Sequence, residues 1–351
     1  MSLENVLLSC RQQAEACRRL GSPFTAAVCD AIAEHLPSAC HAPLRRMRAW
    51  PGDPQADALP LRLCAGLHFL ALTGADAPLA AAYTARESEP RALWSVLELV
   101  LGRHGETLSA WLDNAPQTNE VARSAITLPA LLALARRYRT PLALFEIGAS
   151  AGLNLIPERF HYRYGSATWG DPGAPVRLAP KLRGAVPDLG GDLVIVERAG
   201  CDRAPVDLED PAARLRLQAY VWADQQERLE RCRAAIGLAR AAAVRVERRD
   251  AAEFVERVLS KPSRGVVTVL FHTVVWQYLA EATRSRIHAA VACTEARPAD
   301  APVAWVRFEA AGGVPPAQLI VTTWPGEQET VLGDGDFHGR WLDWHGPRAG
   351  G

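Results

Sequence analysis

Apolar residues recur at three- and four-residue spacing over the first part of the chain. Val6, Leu7, Cys10, Ala14, Cys17 and Leu20 fall on one face and predict a helix from Leu3 that stops at Gly21. Ser22-Pro23 then offers an N-cap followed by a proline at the first helical position, so a second helix is predicted from Pro23 to Leu36. The proline-rich stretch Pro37–Pro60 reads as a loop with one short helical turn. Helical patterning returns at Leu61–Leu72, Pro90–Leu112 and Glu120–Tyr138. After Thr140-Pro141 the pattern changes to short apolar runs separated by helical stretches, which is the signature of a βαβ sheet. Strands are predicted at Leu142–Ile147, Leu193–Ala199, Ala243–Glu247, Val266–Phe271, Pro302–Glu309 and Gln318–Trp324. Crossover helices are predicted at Asn154–Phe160, Pro211–Leu238, Ala251–Leu259 and Glu281–Cys293, with an insertion at 162–191.

This grammar implies an α/β fold: a Rossmann-like sheet with helices on both faces, preceded by an all-helical N-terminal region. The helical region (a lid or cap) is placed at residues 1–115 and the sheet domain at 116–351. A chain of 351 residues with 49% hydrophobic content can fill cores for both. The 39 basic and 39 acidic residues cancel, which argues against nucleic acid as a partner and favours a small-molecule substrate. The eight cysteines show no metal-ligand spacing, so free thiols in a reducing compartment and no metal are expected. No apolar run reaches the roughly 18 residues that span a bilayer, and the first residues lack the pattern of a secretory signal. A cytoplasmic protein without a membrane anchor is expected, of undetermined oligomeric state.

The chemistry concentrates where the first strand ends, in Glu146-Ile147-Gly148-Ala149-Ser150-Ala151-Gly152-Leu153-Asn154. Glycines permit a tight turn and close approach of backbone to a ligand. A dinucleotide site would carry G-x-G-x-x-G to seat a pyrophosphate, whereas this segment reads E-x-G-x-x-x-G. It resembles motif I of class I S-adenosylmethionine (SAM)-dependent methyltransferases. The resemblance implies SAM as cofactor, with Glu146, Gly148, Ala149, Ser150, Gly152 and Asn154 around its methionine part. It further implies Asp202, or failing that Glu197, at the ribose and Asp250 at the adenine; Asp250 is equally suited to cap the helix that follows. His272, after the fourth strand, is the candidate general base, because imidazole titrates near neutral pH; a packing role is the alternative.

The chain is also similar to an uncharacterised bacterial family, domain of unknown function 2332. The similarity runs through Gln117–Val121, Glu146–Leu155, Tyr162–Gly165, Gly200–Asp202, His272–Tyr278 and His338–Arg340. It draws Asn119 and Glu120 into the site as lid or substrate contacts, with Trp276, Gln277 and Tyr278 beside the substrate. Tyr162, Tyr164 and Trp169 are further candidates for an aromatic wall, with ordinary packing as the alternative. The function expected is methyl transfer from SAM to a small molecule. A non-catalytic protein that binds SAM or its product S-adenosylhomocysteine (SAH), or a Rossmann-like enzyme of other chemistry, are the alternatives.

Overall fold

A computed structural model describes residues 2–310 and 316–347. Seven helices come before any strand: α1 (Leu3–Arg19), α2 (Pro23–His35), α3 (Ala42–Arg48), α4 (Leu59–Thr73), α5 (Ala77–Ala85), α6 (Pro90–Arg103) and α7 (Gly105–Trp111). Then follow α8 (Ser124–Tyr138), β1 (Leu142–Ile147), β2 (His161–Tyr164), β3 (Ala167–Trp169), β4 (Arg177–Leu178), β5 (Lys181–Gly184) and β6 (Ile195–Asp202). The remainder is α9 (Pro211–Ala219), α10 (Gln226–Ala241), β7 (Val246–Arg248), α11 (Ala251–Leu259), β8 (Val267–Thr273), α12 (Glu281–Ala292), β9 (Val303–Glu309), β10 (Ala317–Trp324), β11 (Gln328–Gly335) and β12 (Trp341–Trp344). Among the described residues no single helix is long and apolar enough to cross a membrane.

The chain divides into two units: residues 1–118 with Asp210–Glu230, and residues 119–209 with 231–351. In the first, α1 buries Val6, Cys10, Ala14 and Cys17, the face that the spacing predicts. Ser22 precedes α2, but its hydroxyl bonds the Asp224 carboxylate, and Asp224 Oδ2 accepts the Phe24 N–H at 2.9 Å. A residue two hundred positions away therefore caps this helix. Several elements depart from the local sequence pattern. Helix α5 was not predicted, and Pro90–Leu112 is broken at His104 into α6 and α7. Pro211–Leu238 is likewise two helices, and α9 belongs to the first unit. The eight cysteines are free thiols, with Cys40 and Cys293 exposed.

The second unit is built on a nine-stranded sheet in the order β5-β12-β11-β10-β9-β8-β1-β6-β7. β7, β6, β1, β8 and β9 are mutually parallel. β10, β11 and β12 continue the sheet antiparallel, and β5 pairs parallel with β12 at the edge. All six β1 residues are buried, as expected of a central parallel strand covered on both faces. Helices α11 and α12 cover the face that carries Ala143, Phe145, Ile147, Leu270, Trp305 and Trp324. Helix α8 packs against β8, β9 and β10, and its Arg137 reaches Thr323, which neighbours Trp324 and so points to the opposite face.

Asn154–Phe160, expected as a crossover helix, forms two 3₁₀ turns, Leu153–Leu155 and Pro157–Arg159. The insertion contributes the small sheet β3-β2-β4 as well as β5. Tyr162 and Tyr164, candidates for an aromatic wall, are fully buried there and donate to the carbonyls of Pro157 (2.8 Å) and Ala125 (2.7 Å). They are packing residues.

Candidate functional site

β1 lies between β6 and β8, so the chain leaves it toward one side of the sheet and later returns on the other. In open α/β sheets the crevice at the carboxyl ends of such strands is where ligands bind. Glu146 sits at that end of β1, is 2% exposed, and its Oε2 has no hydrogen-bond partner. Burial pushes its carboxyl well above the usual carboxylate range; nearby Arg123 opposes the shift and Asp202 adds to it.

Next comes a loop with three residues in the left-handed region, Gly148 (φ 66°), Ser150 (φ 53°) and Gly152 (φ 72°). Its backbone is pinned to β6. Ala149 N–H donates to the Cys201 carbonyl at 3.0 Å and Ser150 N–H to Asp202 Oδ2 at 3.0 Å, while Asp202 Oδ1 accepts Ala204 N–H at 2.9 Å. The Ser150 hydroxyl is buried and unpartnered. The two glycines are further required by packing. A Cβ at Gly152 would come within 2.6 Å of Val244 Cγ1 and 3.0 Å of Val246 Cγ2, and one at Gly148 would overlap Val275. In both directions the space is filled by this chain's own side chains.

Residues 119–124 close the other side of the loop. Asn119 Oδ1 accepts Leu153 N–H at 2.8 Å, Asn154 Nδ2 donates to the Glu120 carbonyl at 3.4 Å, and Ser124 Oγ donates to Asn154 Oδ1 at 2.7 Å. Glu120 caps the turn that follows; its carboxylate accepts Ala122 N–H at 3.1 Å and lies 3.8 Å from Arg231. Arg123 donates to the carbonyls of Phe337 (2.7 Å) and Thr273 (3.1 Å). Glu146, Ser150, Asn154, Asn119, Glu120 and Asp202 thus form one cluster, to which the structure adds Arg123, Ser124 and Arg231. No local pattern in the sequence singles out Arg123 or Arg231 among the 39 basic residues. Two buried oxygens without protein partners, on Glu146 and Ser150, equip this cluster to receive N–H or O–H groups of a ligand.

Other candidates lie apart from it. Glu197 pairs with Ala143 in the first half of β1, so it is not at the carboxyl edge. Asp250 makes the N-cap of α11, accepting Ala252 N–H at 2.9 Å and Glu253 N–H at 3.4 Å. His272 is within β8 and fully buried, with Nδ1 2.7 Å from Glu309 Oε1 and Nε2 unpartnered. Glu146 pairs with Phe271, so His272, the next residue, leaves the sheet on the other face. There Trp276 stacks on it (5.2 Å, 14°), and Trp305 and His288 complete a ring cluster. The His288 imidazole is held below its ordinary range, by burial first and by Arg307 next. Trp276, Gln277 and Tyr278 form a 3₁₀ turn with no buried residue, and Tyr278 is 73% exposed. Glu309 was missed as a site residue, although it closes a predicted strand at the same carboxyl edge that drew attention to Glu146.

The family model for domain of unknown function 2332, described as an uncharacterized protein conserved in bacteria, matches residues 9–344. The chain belongs to this family. In this member of the 2332 family the match takes in the Glu146 cluster and the His272–Glu309 pair alike. No curated protein and no solved structure matches the chain.

Proposed function

We propose that the chain is a SAM-dependent methyltransferase acting on a small molecule. The observation that carries this reading is Glu146, a buried carboxyl with an unpartnered oxygen at the switch point of the sheet. An acid there suits the ammonium of SAM's amino-acid tail, because a cationic donor compensates a carboxylate removed from water. Leaving aside β2 to β5, the eight remaining strands lie in the order third, second, first, fourth, fifth, sixth, seventh, eighth, and the first six of these follow the Rossmann order with the sixth reversed.

Bound SAM would supply an electrophilic methyl group. The chain's own residues would hold and orient it: Glu146, Ser150 and Asn154 at the methionine end, the Gly148–Gly152 backbone beneath, and Asp202 at the ribose. Asp202 already secures two backbone N–H groups, so its role in binding is joined to a role in shaping the loop. Asp250 would meet adenine only in addition to capping α11. Rate enhancement would come chiefly from positioning of donor and acceptor.

Calorimetry and thermal unfolding with SAM, SAH and NAD test the reading: both adenosyl compounds should bind and raise the midpoint, and NAD should not. Binding of NAD alone would exclude it. The placement of His272 on the face opposite Glu146 favours a second reading, a protein that binds SAM or SAH without turnover. SAM that is bound yet never demethylated in the presence of candidate acceptors would support that one.

A further inference from the structure

One residue touches both the glycine loop and the His272 pair. Val275 stands so close over Gly148 that a single methyl group added there would overlap it. Its backbone N–H donates to Glu309 Oε1 at 2.9 Å, the same oxygen that lies 2.7 Å from His272 Nδ1. The preceding Val274 has φ 55°, a strained conformation for a β-branched residue, and is held there by a bond from its N–H to the Phe308 carbonyl (2.9 Å). The following turn lays Trp276 flat on the imidazole. A buried nitrogen, His272 Nε2, is left without a partner beneath that lid.

We propose that His272 is a general base kept latched until the glycine loop is filled, with Glu309 as its positioning residue and Val275 as the link between the two faces of the sheet. This deepens the methyltransferase reading and rests on it. With Glu309 accepting a hydrogen bond from Nδ1–H, the proton stays on Nδ1 and the Nε2 lone pair is the free one, which is the tautomer a base needs. A ligand settling on the Gly148–Gly152 backbone moves the Val275 side chain, loosens its N–H from Glu309 and lets the strained turn 274–278 swing away from the imidazole. Nε2 then takes the proton of the acceptor's O–H or N–H as the acceptor's lone pair forms the bond to the methyl carbon; the electrons of the broken carbon–sulfur bond stay on sulfur.

The latch is tested with the full chain, without any acceptor, by diethyl pyrocarbonate, which acylates accessible unprotonated imidazole. Modification of His272, read by peptide mass spectrometry, should be about tenfold or more faster with SAH than without it, as expected when a local opening is made favourable. Trp276→Ala should reach the faster rate without SAH. In ¹⁵N-histidine spectra the His272 proton should sit on Nδ1, and Glu309→Leu should redistribute it. If SAH raises the thermal midpoint but leaves His272 unreactive, the latch is overturned while the cofactor reading stands. If SAH does not bind, both fall. A folded Trp276→Ala protein that remains unreactive, or a tautomer indifferent to Glu309→Leu, also overturns the proposal.

Discussion

Glu146 and His272 stand on neighbouring parallel strands one register step apart, and their side chains leave the sheet on opposite faces. They share the carboxyl edge but not an environment. Glu146 belongs with Asn154, Ser150 and the 119–124 segment; His272 belongs with Glu309 and the rings of Trp276, Trp305 and His288. Any chemistry that uses both must pass over the strand ends, where Val275 lies.

Glu146→Gln keeps the shape of the side chain and removes its ability to ionise opposite a cationic ligand group. SAH affinity should drop by about tenfold or more, the loss expected when a charge-assisted bond of roughly 1.5–3 kcal/mol is removed. Titration calorimetry checks this, and unchanged affinity would move the cofactor site away from β1.

The raised carboxyl of Glu146 has a consequence for stability against pH. The folded state keeps this proton at pH values where the unfolded chain has released it, so the group's contribution to stability falls as pH rises from about 4.5, the ordinary value, toward the elevated folded one. The midpoint of wild type relative to Glu146→Gln should therefore decline over that window. A difference that is flat or rises with pH contradicts the burial argument.

Gly152→Val should destabilise the fold itself and not merely block a ligand. The left-handed backbone (φ 72°) and the contact with Val244 at 2.6 Å together imply a cost of roughly 2–4 kcal/mol. Denaturant unfolding gives the number. At Gly148 the obstacle is one side chain, so Val275→Ala should recover part of the stability lost in Gly148→Ala, and a double-mutant cycle should show coupling. Strict additivity of the two changes would mean that they do not meet.

Asp202→Ala should lower stability by about 1–3 kcal/mol, because two backbone N–H groups lose their acceptor. Asp202→Asn should retain part of it. If Asp202 also meets the ribose, SAH affinity falls in both variants, and a normal affinity in a folded Asp202→Asn protein assigns the residue to the loop alone.

Asp250→Ser preserves an N-cap whereas Asp250→Ala does not, so the alanine variant alone should lose about 1 kcal/mol of stability. Reduced SAH affinity in the serine variant would identify a contact with adenine beyond the cap. Equal midpoints for the two variants would show that the cap contributes nothing.

Periodicity carried most of the element order, since which residues must be buried is written locally: the one-sided stripe of α1, the continuous apolar run of β1 and the acid that ends it. The E-x-G-x-x-x-G segment was legible because left-handed backbone leaves few options besides glycine. Local pattern failed where a partner distant in sequence decides the outcome. Asp224, not Ser22, caps α2; Val244, Val246 and Val275 fill the space beside Gly152 and Gly148; and β11 and β12 complete a sheet whose edge no local signal marks. The side of the sheet to which His272 points was hidden for a different reason. Residue spacing says that a side chain lies at a strand end, but alternation along β8 turns one step of register into the opposite face, and that register is set by pairing with β1.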